Sequence, residues 1–219
     1  RDMQILIQVC DNRPPKVQTI EEVCIVAGQT LTFGVAATDP DGSSQKVKLT
    51  ALGGPFVVET GKATFNVSPN FETPPVNGTF SWTPDCNAIN KEYYSVIFKA
   101  VDNYSDTTGL ADLKTVRIKV VGPGPENLTG ESSLNQIILK WDDPYLCQIT
   151  NKNYFKGFNV WRRVSSNSFQ PDTCNPTREG KGYTKIAFAQ KTTDGSNYTY
   201  VDATVEKGKA YCYRVEAEF

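Results

Sequence analysis

Apolar side chains recur at every second position in short runs along this chain, and no long helical period competes with them. Leu31, Phe33, Val35 and Ala37 alternate with Thr30, Thr32 and Gly34. Val47, Leu49 and Ala51 follow, then Phe80 and Trp82, then Tyr94, Val96, Phe98 and Ala100, then Val116, Ile118 and Val120. A period of two places alternate residues on one face of a strand. Turn signals separate the runs: Asp39-Pro40-Asp41-Gly42, Gly53-Gly54-Pro55, Pro74-Pro75 and Asn77-Gly78. Short strands at this spacing predict an all-β chain whose sheets pack face to face around a shared core.

One stretch divides the chain. Residues 115–121 form a strand-like run that enters Gly122-Pro123-Gly124-Pro125, and a new alternating pattern starts after that stretch, at Leu128. Proline lacks a backbone donor and glycine accepts unusual dihedrals, so a ladder ends there. Residues 122–125 are read as a joint between two β modules of about 100 residues each, a common domain size. The joint has an echo in residues 4–9, a strand-like run that also ends in a proline-containing turn, Asp11-Asn12-Arg13-Pro14-Pro15. Residues 1–10 then read as the last strand of an upstream module, or as an ordinary first strand. The chain begins at Arg1 with neither a Met nor a signal peptide, and a processed or excised piece is expected.

Composition narrows the function classes. A net charge of −1 gives no electrostatic case for nucleic acid or an anionic membrane. No apolar run approaches the roughly 20 residues a membrane helix needs. The chain has no His, which removes the commonest general base and transition-metal ligand. Zinc would need Cys and carboxylates alone, and no C-x-x-C pair exists. The six Cys, at 10, 24, 86, 147, 174 and 212, read as disulfides in an oxidising compartment, with buried free thiols as the alternative. N-x-S/T triplets begin at Asn66, Asn77, Asn103, Asn127 and Asn197 and permit glycosylation. Phe80 and Trp82 read as core, with a sugar-stacking surface as the alternative. Lys152, Tyr154, Phe155, Lys156, Trp161, Arg162 and Arg163 make a basic-aromatic stretch that can stack nucleotides or sugars, or serve as an ordinary outer face.

In residues 11–121, Phe80-Ser81-Trp82-Thr83-Pro84 and the run Tyr94-Ser95-Val96-Ile97-Phe98-Lys99-Ala100-Val101-Asp102 resemble the signature of cadherin-like and immunoglobulin-type modules. Ala37-Thr38-Asp39-Pro40-Asp41-Gly42 looks like the cadherin A-x-D-x-D-G loop, and Asp11-Asn12-Arg13-Pro14 like a shortened cadherin linker. The resemblance implies that Asp11, Asn12, Asp39, Asp41 and Asp102 converge at one pole. Calcium takes six to eight oxygens, and these side chains with carbonyls and water could supply them. A turn cluster held by Asx-turn chemistry is the other reading. The same fold implies a Cys24–Cys86 bridge between neighbouring antiparallel strands.

Residues 126–219 are similar to a fibronectin type III domain. Pro125-x-x-Leu128, Ile137-x-Leu139-x-Trp141-x-x-Pro144, Gly157-Phe158-Asn159-Val160-Trp161, Tyr198-Thr199-Tyr200-Val201-Asp202 and Gly208-Lys209-Ala210-Tyr211-Cys212-Tyr213-Arg214-Val215 carry the likeness in order. It implies that Trp141 is the core tryptophan and that the Tyr211 hydroxyl bonds back to backbone. It also implies a seventh strand beyond Ala217, which this stretch lacks. Cys147 and Cys174 are then expected to pair, with Cys10 and Cys212 bridged outside the fragment. Cys147–Cys212 with Cys174 free is the alternative.

The expected fold is two immunoglobulin-like β-sandwiches in tandem, cadherin-like and then fibronectin type III. Modules in this order look like the large surface proteins of Bacteroidota exported by type IX secretion, many of them tied to gliding or adhesion. The expected function is a non-catalytic structural or adhesive segment of such a secreted protein, at the cell surface. Its partners would be neighbouring modules, another surface protein or a glycan, with no nucleic acid and no membrane insertion. The alternative is an accessory, spacer or glycan-binding region of a secreted enzyme. Catalysis by the chain itself is not expected: Ser and Cys lack a His partner, and Asp142-Asp143 reads as a solvated turn. No cofactor other than calcium is expected.

Overall fold

The computed structural model describes residues 11–104, 109–148, 154–167, 174 and 181–219, with the backbone alone at 189 and 190. Every element longer than three residues is a β-strand. The chain divides into two compact units. The first runs through Pro84 and resumes over Asn90–Val120; the second takes Asp85–Ile89 and Val121–Phe219.

The first unit contains β1 (Lys16–Gln18), β2 (Glu22–Val26), β3 (Leu31–Thr38), β4 (Val47–Gly53), β5 (Thr64–Asn66), β6 (Val76–Trp82), β7 (Tyr94–Asp102) and β8 (Ala111–Val121). They form two four-stranded sheets, ordered β1-β3-β6-β5 and β2-β8-β7-β4. The first two strands lie close in sequence yet join different sheets. The alternating rows face inward as read: Val35, Ala37, Val47, Leu49, Val96, Phe98, Ala100, Val116, Ile118 and Val120 are all buried. Phe80 stacks on Phe33 at 4.8 Å and meets Phe98 edge-on at 6.1 Å, so both sheets contribute rings to one core. Trp82 is equally enclosed, and its indole N–H donates to Gly61 O at 2.7 Å. Phe80 and Trp82 are therefore core residues and present no sugar-stacking surface.

The second unit contains β9 (Thr129–Ser133), β10 (Gln136–Asp142), β11 (Gly157–Val164), β12 (Thr184–Gln190), β13 (Asn197–Asp202) and β14 (Tyr211–Glu218). Its described strands form two sheets, ordered β13-β10-β9 and β12-β11-β14. Leu139, Trp141, Tyr145, Phe155, Phe158, Val160 and Tyr198 make its core. Trp141 meets Phe158 edge-on at 5.2 Å, one ring from each sheet. The Tyr211 hydroxyl accepts the backbone N–H of Glu206 at 2.8 Å, the backward bond expected of this tyrosine.

The cysteine pairing differs from expectation. Cys86 is bonded to Cys147, so neither Cys24–Cys86 nor Cys147–Cys174 forms, and Cys147–Cys212 is excluded as well. The segment after β6 explains why. Cys86 and Ile89 pack against the Trp141 core, and Cys147 is itself completely buried there. The apolar residues of that segment thus join the second unit rather than folding back over β3. Cys24 and Cys174 are also disulfide-bonded, and Cys212 is a free thiol. Cys10 lies outside the described residues.

Candidate functional site

The residues proposed for calcium are brought together only in part. Asp102, 1% exposed, closes the end of β7; its Oδ1 accepts the backbone N–H groups of Tyr104 and Leu110, both at 3.1 Å. Its Oδ2 accepts the Asn12 side-chain amide at 3.1 Å. Asn12 in turn accepts the Gln45 amide at 2.8 Å, and that amide also reaches Asp41 Oδ2 at 3.4 Å. Asp41 receives the Arg13 backbone N–H and guanidinium, each at 2.8 Å. Those bonds from Arg13, first its backbone N–H and then its side chain, hold the Asp41 carboxyl below the usual carboxylate range.

Asp39 stands at the start of the same loop, and its Oδ1 accepts the Asp41 N–H at 2.8 Å. This is an Asx turn. Asp11 is exposed. Among the described residues, no group of three or more Cys, Asp or Glu side chains is gathered closely enough to hold a metal ion. The oxygens that a cation would use are mostly accepting hydrogen bonds already, and a guanidinium neutralises Asp41. Two buried acceptors remain without a hydrogen-bond partner, Asp39 Oδ2 and Gln45 Oε1.

A second polar cluster sits inside the second unit. Asp202, 1% exposed, accepts Arg162 Nη1 at 2.9 Å and the Tyr213 hydroxyl at 2.8 Å. It also accepts the Thr204 backbone N–H and hydroxyl. Burial works to raise its pKa, and the hydrogen bonds from Thr204, Tyr213 and Arg162 outweigh burial and lower it. Desolvation pushes the Tyr213 phenol well above its ordinary value, with the bond to Asp202 adding to it.

The basic-aromatic stretch does not form one surface. Lys152 lies outside the described residues. Phe155 is buried in the core, Tyr154 is exposed, and Lys156 is 3.8 Å from Glu218. Arg162 turns inward to Asp202. Instead, the outer face of the β12-β11-β14 sheet carries a set the sequence reading did not assemble. Lys185 lies over Trp161 and over Phe188, each at 5.0 Å. Arg163 and Arg214 lie over Tyr183 at 5.3 and 5.2 Å. Trp161 also donates to Glu216 at 3.2 Å. These partners come from three strands, so only the strand register brings them together. Asp142 and Asp143 are used as loop ties: Asp142 accepts from Asn127 at 2.8 Å, and Asp143 accepts from Thr193 at 2.7 Å.

No family profile matches the chain, and no curated protein matches it. Among solved structures, the sialic-acid-binding region of a Streptococcus sanguinis adhesin, bound to 3'sLn, is 13% identical with a TM-score of 0.39; the match covers 59% of this chain and 44% of that one. The SrpA adhesin from Streptococcus sanguinis is 16% identical with a TM-score of 0.37, over 74% of this chain and 86% of that one. An I-band fragment of titin is 11% identical with a TM-score of 0.36, over 94% of this chain and 65% of that one.

Proposed function

We propose that this chain is a non-catalytic structural or adhesive segment of a secreted, modular cell-surface protein. One observation carries the reading. The polar clusters that the two units gather, around Asp102 and around Asp202, are each bonded into the ends of strands and loops. A catalytic site needs a base or nucleophile positioned toward a substrate. Here the buried carboxylates bond backbone amides, an Asn, an Arg and a Tyr, which fixes loops. The disulfide-bonded Cys24, Cys86, Cys147 and Cys174 suit an oxidising compartment. The finer assignment, a cadherin-like module followed by a fibronectin type III module in a type IX-exported protein, rests on the sequence resemblance.

A second reading, an accessory glycan-binding region of a secreted enzyme, draws on one observation. Trp161, Tyr183 and Phe188 share the neighbourhood of one sheet's outer face with three cations, and Phe188 is 59% exposed. Aromatic faces stack on sugars, but here cations already cover the rings.

The test is to screen the purified chain against glycans, surface proteins and a panel of polysaccharide, peptide and ester substrates. Saturable binding without turnover is expected. Turnover by the purified chain would end the first reading. Glycan binding abolished by Trp161→Ala together with Phe188→Ala would favour the second.

A further inference from the structure

The outer face of the β1-β3-β6-β5 sheet carries almost no charge. Its outward rows run through Thr32, Gly34 and Ala36 on β3 and through Asn77, Thr79 and Ser81 on β6, with a Thr and an Asn on β5. Thr32, Gly34, Asn77 and Thr79 are exposed, while the residues between them point into the core. Among the described residues, the outward rows of these four strands hold one charged side chain, Lys16. It stands at a corner, where its stem can leave the ammonium in water. The outer faces of the other three sheets each carry charge: Lys99 and Arg117 on β7 and β8, Glu131 and Lys140 on β9 and β10, Lys185 and Arg214 on β12 and β14.

Gly34 sets the face apart in a second way. It stands in the interior of β3 without a positive φ, and the ladder passes through Gly34↔Thr79 with no register shift. Nothing lies within 4 Å of where its Cβ would be. No turn, bulge or neighbour within the unit therefore requires glycine there. Gly78 on the adjacent strand is the contrast, since a Cβ there would collide with the Phe65 ring. Glycine weakens a strand, and where nothing inside the fold demands it, it marks the close approach of a ligand or another backbone.

We propose that this face packs against the same face of a second copy of the chain, sheet on sheet, with Gly34 at the centre of the contact. A sheet is twisted, so the surface that fits it best is another sheet, crossing at about 30°. Burying an unpaired charge is costly, and so is setting like charges opposite each other. Of the described sheet faces, this one alone meets its own copy without either cost. Its hydrogen-bonding groups also match themselves. Thr and Ser hydroxyls rotate to donate or to accept, as those of Thr32 and Ser81 do with each other at 3.4 Å. Gly34 and Thr79 are cross-strand neighbours. A two-fold arrangement thus sets Thr79 of each copy into the space over Gly34 of the other. The outward rows supply roughly half of the 20–30 residues a side that a standard interface uses, so the association of two copies is weak. Many copies held on one surface gain avidity from it. The proposal stands whether or not the chain acts in adhesion.

The experiment is sedimentation equilibrium on the 219-residue chain up to millimolar concentration. Near-ultraviolet circular dichroism gives the melting temperature of each variant at a dilution where it is monomeric. The mass is expected to rise from 24.2 kDa toward twice that value with concentration. Gly34→Thr raises strand propensity and fills the space that the other copy needs. It is expected to weaken association at least tenfold while the melting temperature holds or rises. Thr79→Lys, which puts a charge into the contact, is expected to weaken association at least tenfold. Thr115→Lys, on the outward row of β8, is expected to leave it within about twofold. A monomer at every concentration would overturn the proposal, as would association insensitive to Gly34→Thr. A lower melting temperature in Gly34→Thr would overturn it as well, because the glycine would then serve the monomer. So would assemblies that grow beyond two copies, because a contact of one face with itself closes at two.

Discussion

Asn12 and Asp102, ninety positions apart in sequence, meet in a buried hydrogen bond at 3.1 Å. The bond ties the residues that lead into β1 to the end of β7. Asp102 is held at the same time by the backbone of Tyr104 and Leu110. Neutral and cationic donors thus do the work that a bound cation would do at an acidic pole. Calcium at millimolar concentration is therefore expected to leave the melting temperature of the first unit unchanged relative to a chelator. Asp39 Oδ2 and Gln45 Oε1 are the buried acceptors left over. A calcium-dependent rise that disappears in Asp39→Asn would show a cation seated on them.

Asp202 makes the second unit sensitive to acid in a stated direction. Its carboxyl is lowered below the ordinary value, so the stabilisation is fully present above an unfolded-state pKa of about 3.9. It is lost as pH falls through the lower folded value. Asp202→Asn leaves Arg162 without its buried counter-ion, and Arg162 retains some solvent access. A cost of about 3 kcal/mol is expected, at the lower end for a broken buried pair. Denaturant titration at pH 7 and again at pH 3 measures it. The difference between wild type and variant should shrink at the lower pH, and a difference independent of pH would contradict the assignment.

The strands that were legible in sequence are those with a long, regular alternation. β3, β7, β8 and β10 each bury one face against a partner sheet, and a period of two records that directly. β1, β2 and β5 were not legible. They span three to five residues, too short to display a period, and their place depends on which sheet edge is open. Trp82 read correctly as core because it stands on an alternating strand, and Trp141 because the fibronectin type III likeness puts a core tryptophan there. The disulfide did not read correctly, because pairing was sought inside each sequence module while Cys86 follows Pro84 into the other unit. Ala88 and Ile89 were its signal, two apolar residues in a segment with no strand to bury them. The cation–aromatic set around Trp161 was also hidden, since Tyr183, Lys185 and Arg214 reach it only through strand register.

Gly53 has a role that no side chain can fill. It ends β4 with φ at +146°, and a Cβ there would lie 2.2 Å from Ser95 O. Both the dihedral and the close approach of β7 exclude other residues. Gly53→Ala is expected to destabilise the first unit by about 2 kcal/mol, the range for strained backbone positions. Gly28→Ala gives a control. Gly28 also has a positive φ, but nothing lies within 4 Å of its Cβ position, so its smaller loss isolates the dihedral contribution. Equal losses in urea denaturation would show that the contact with Ser95 does not matter.

Reduction should act on the second unit through Cys86–Cys147. The bridge closes a loop with a sequence separation of 61, and constraining an unfolded loop of that size stabilises by about 4 kcal/mol before native-state strain is counted. Cys147 is fully buried among Trp141, Tyr145 and Phe158, so a thiol or an alanine there also loses packing. Cys86→Ser, which leaves Cys147 in place, separates the two contributions. Cys86→Ser is expected to cost about 2–4 kcal/mol from the lost constraint, and Cys147→Ala about 1 kcal/mol more from the cavity. Urea denaturation followed by the fluorescence of the buried Trp141 reports the second unit. If Cys86→Ser unfolds at the wild-type midpoint, the bridge contributes no stability to this unit, and the packing of Ile89 alone holds the Asp85–Ile89 segment against its core.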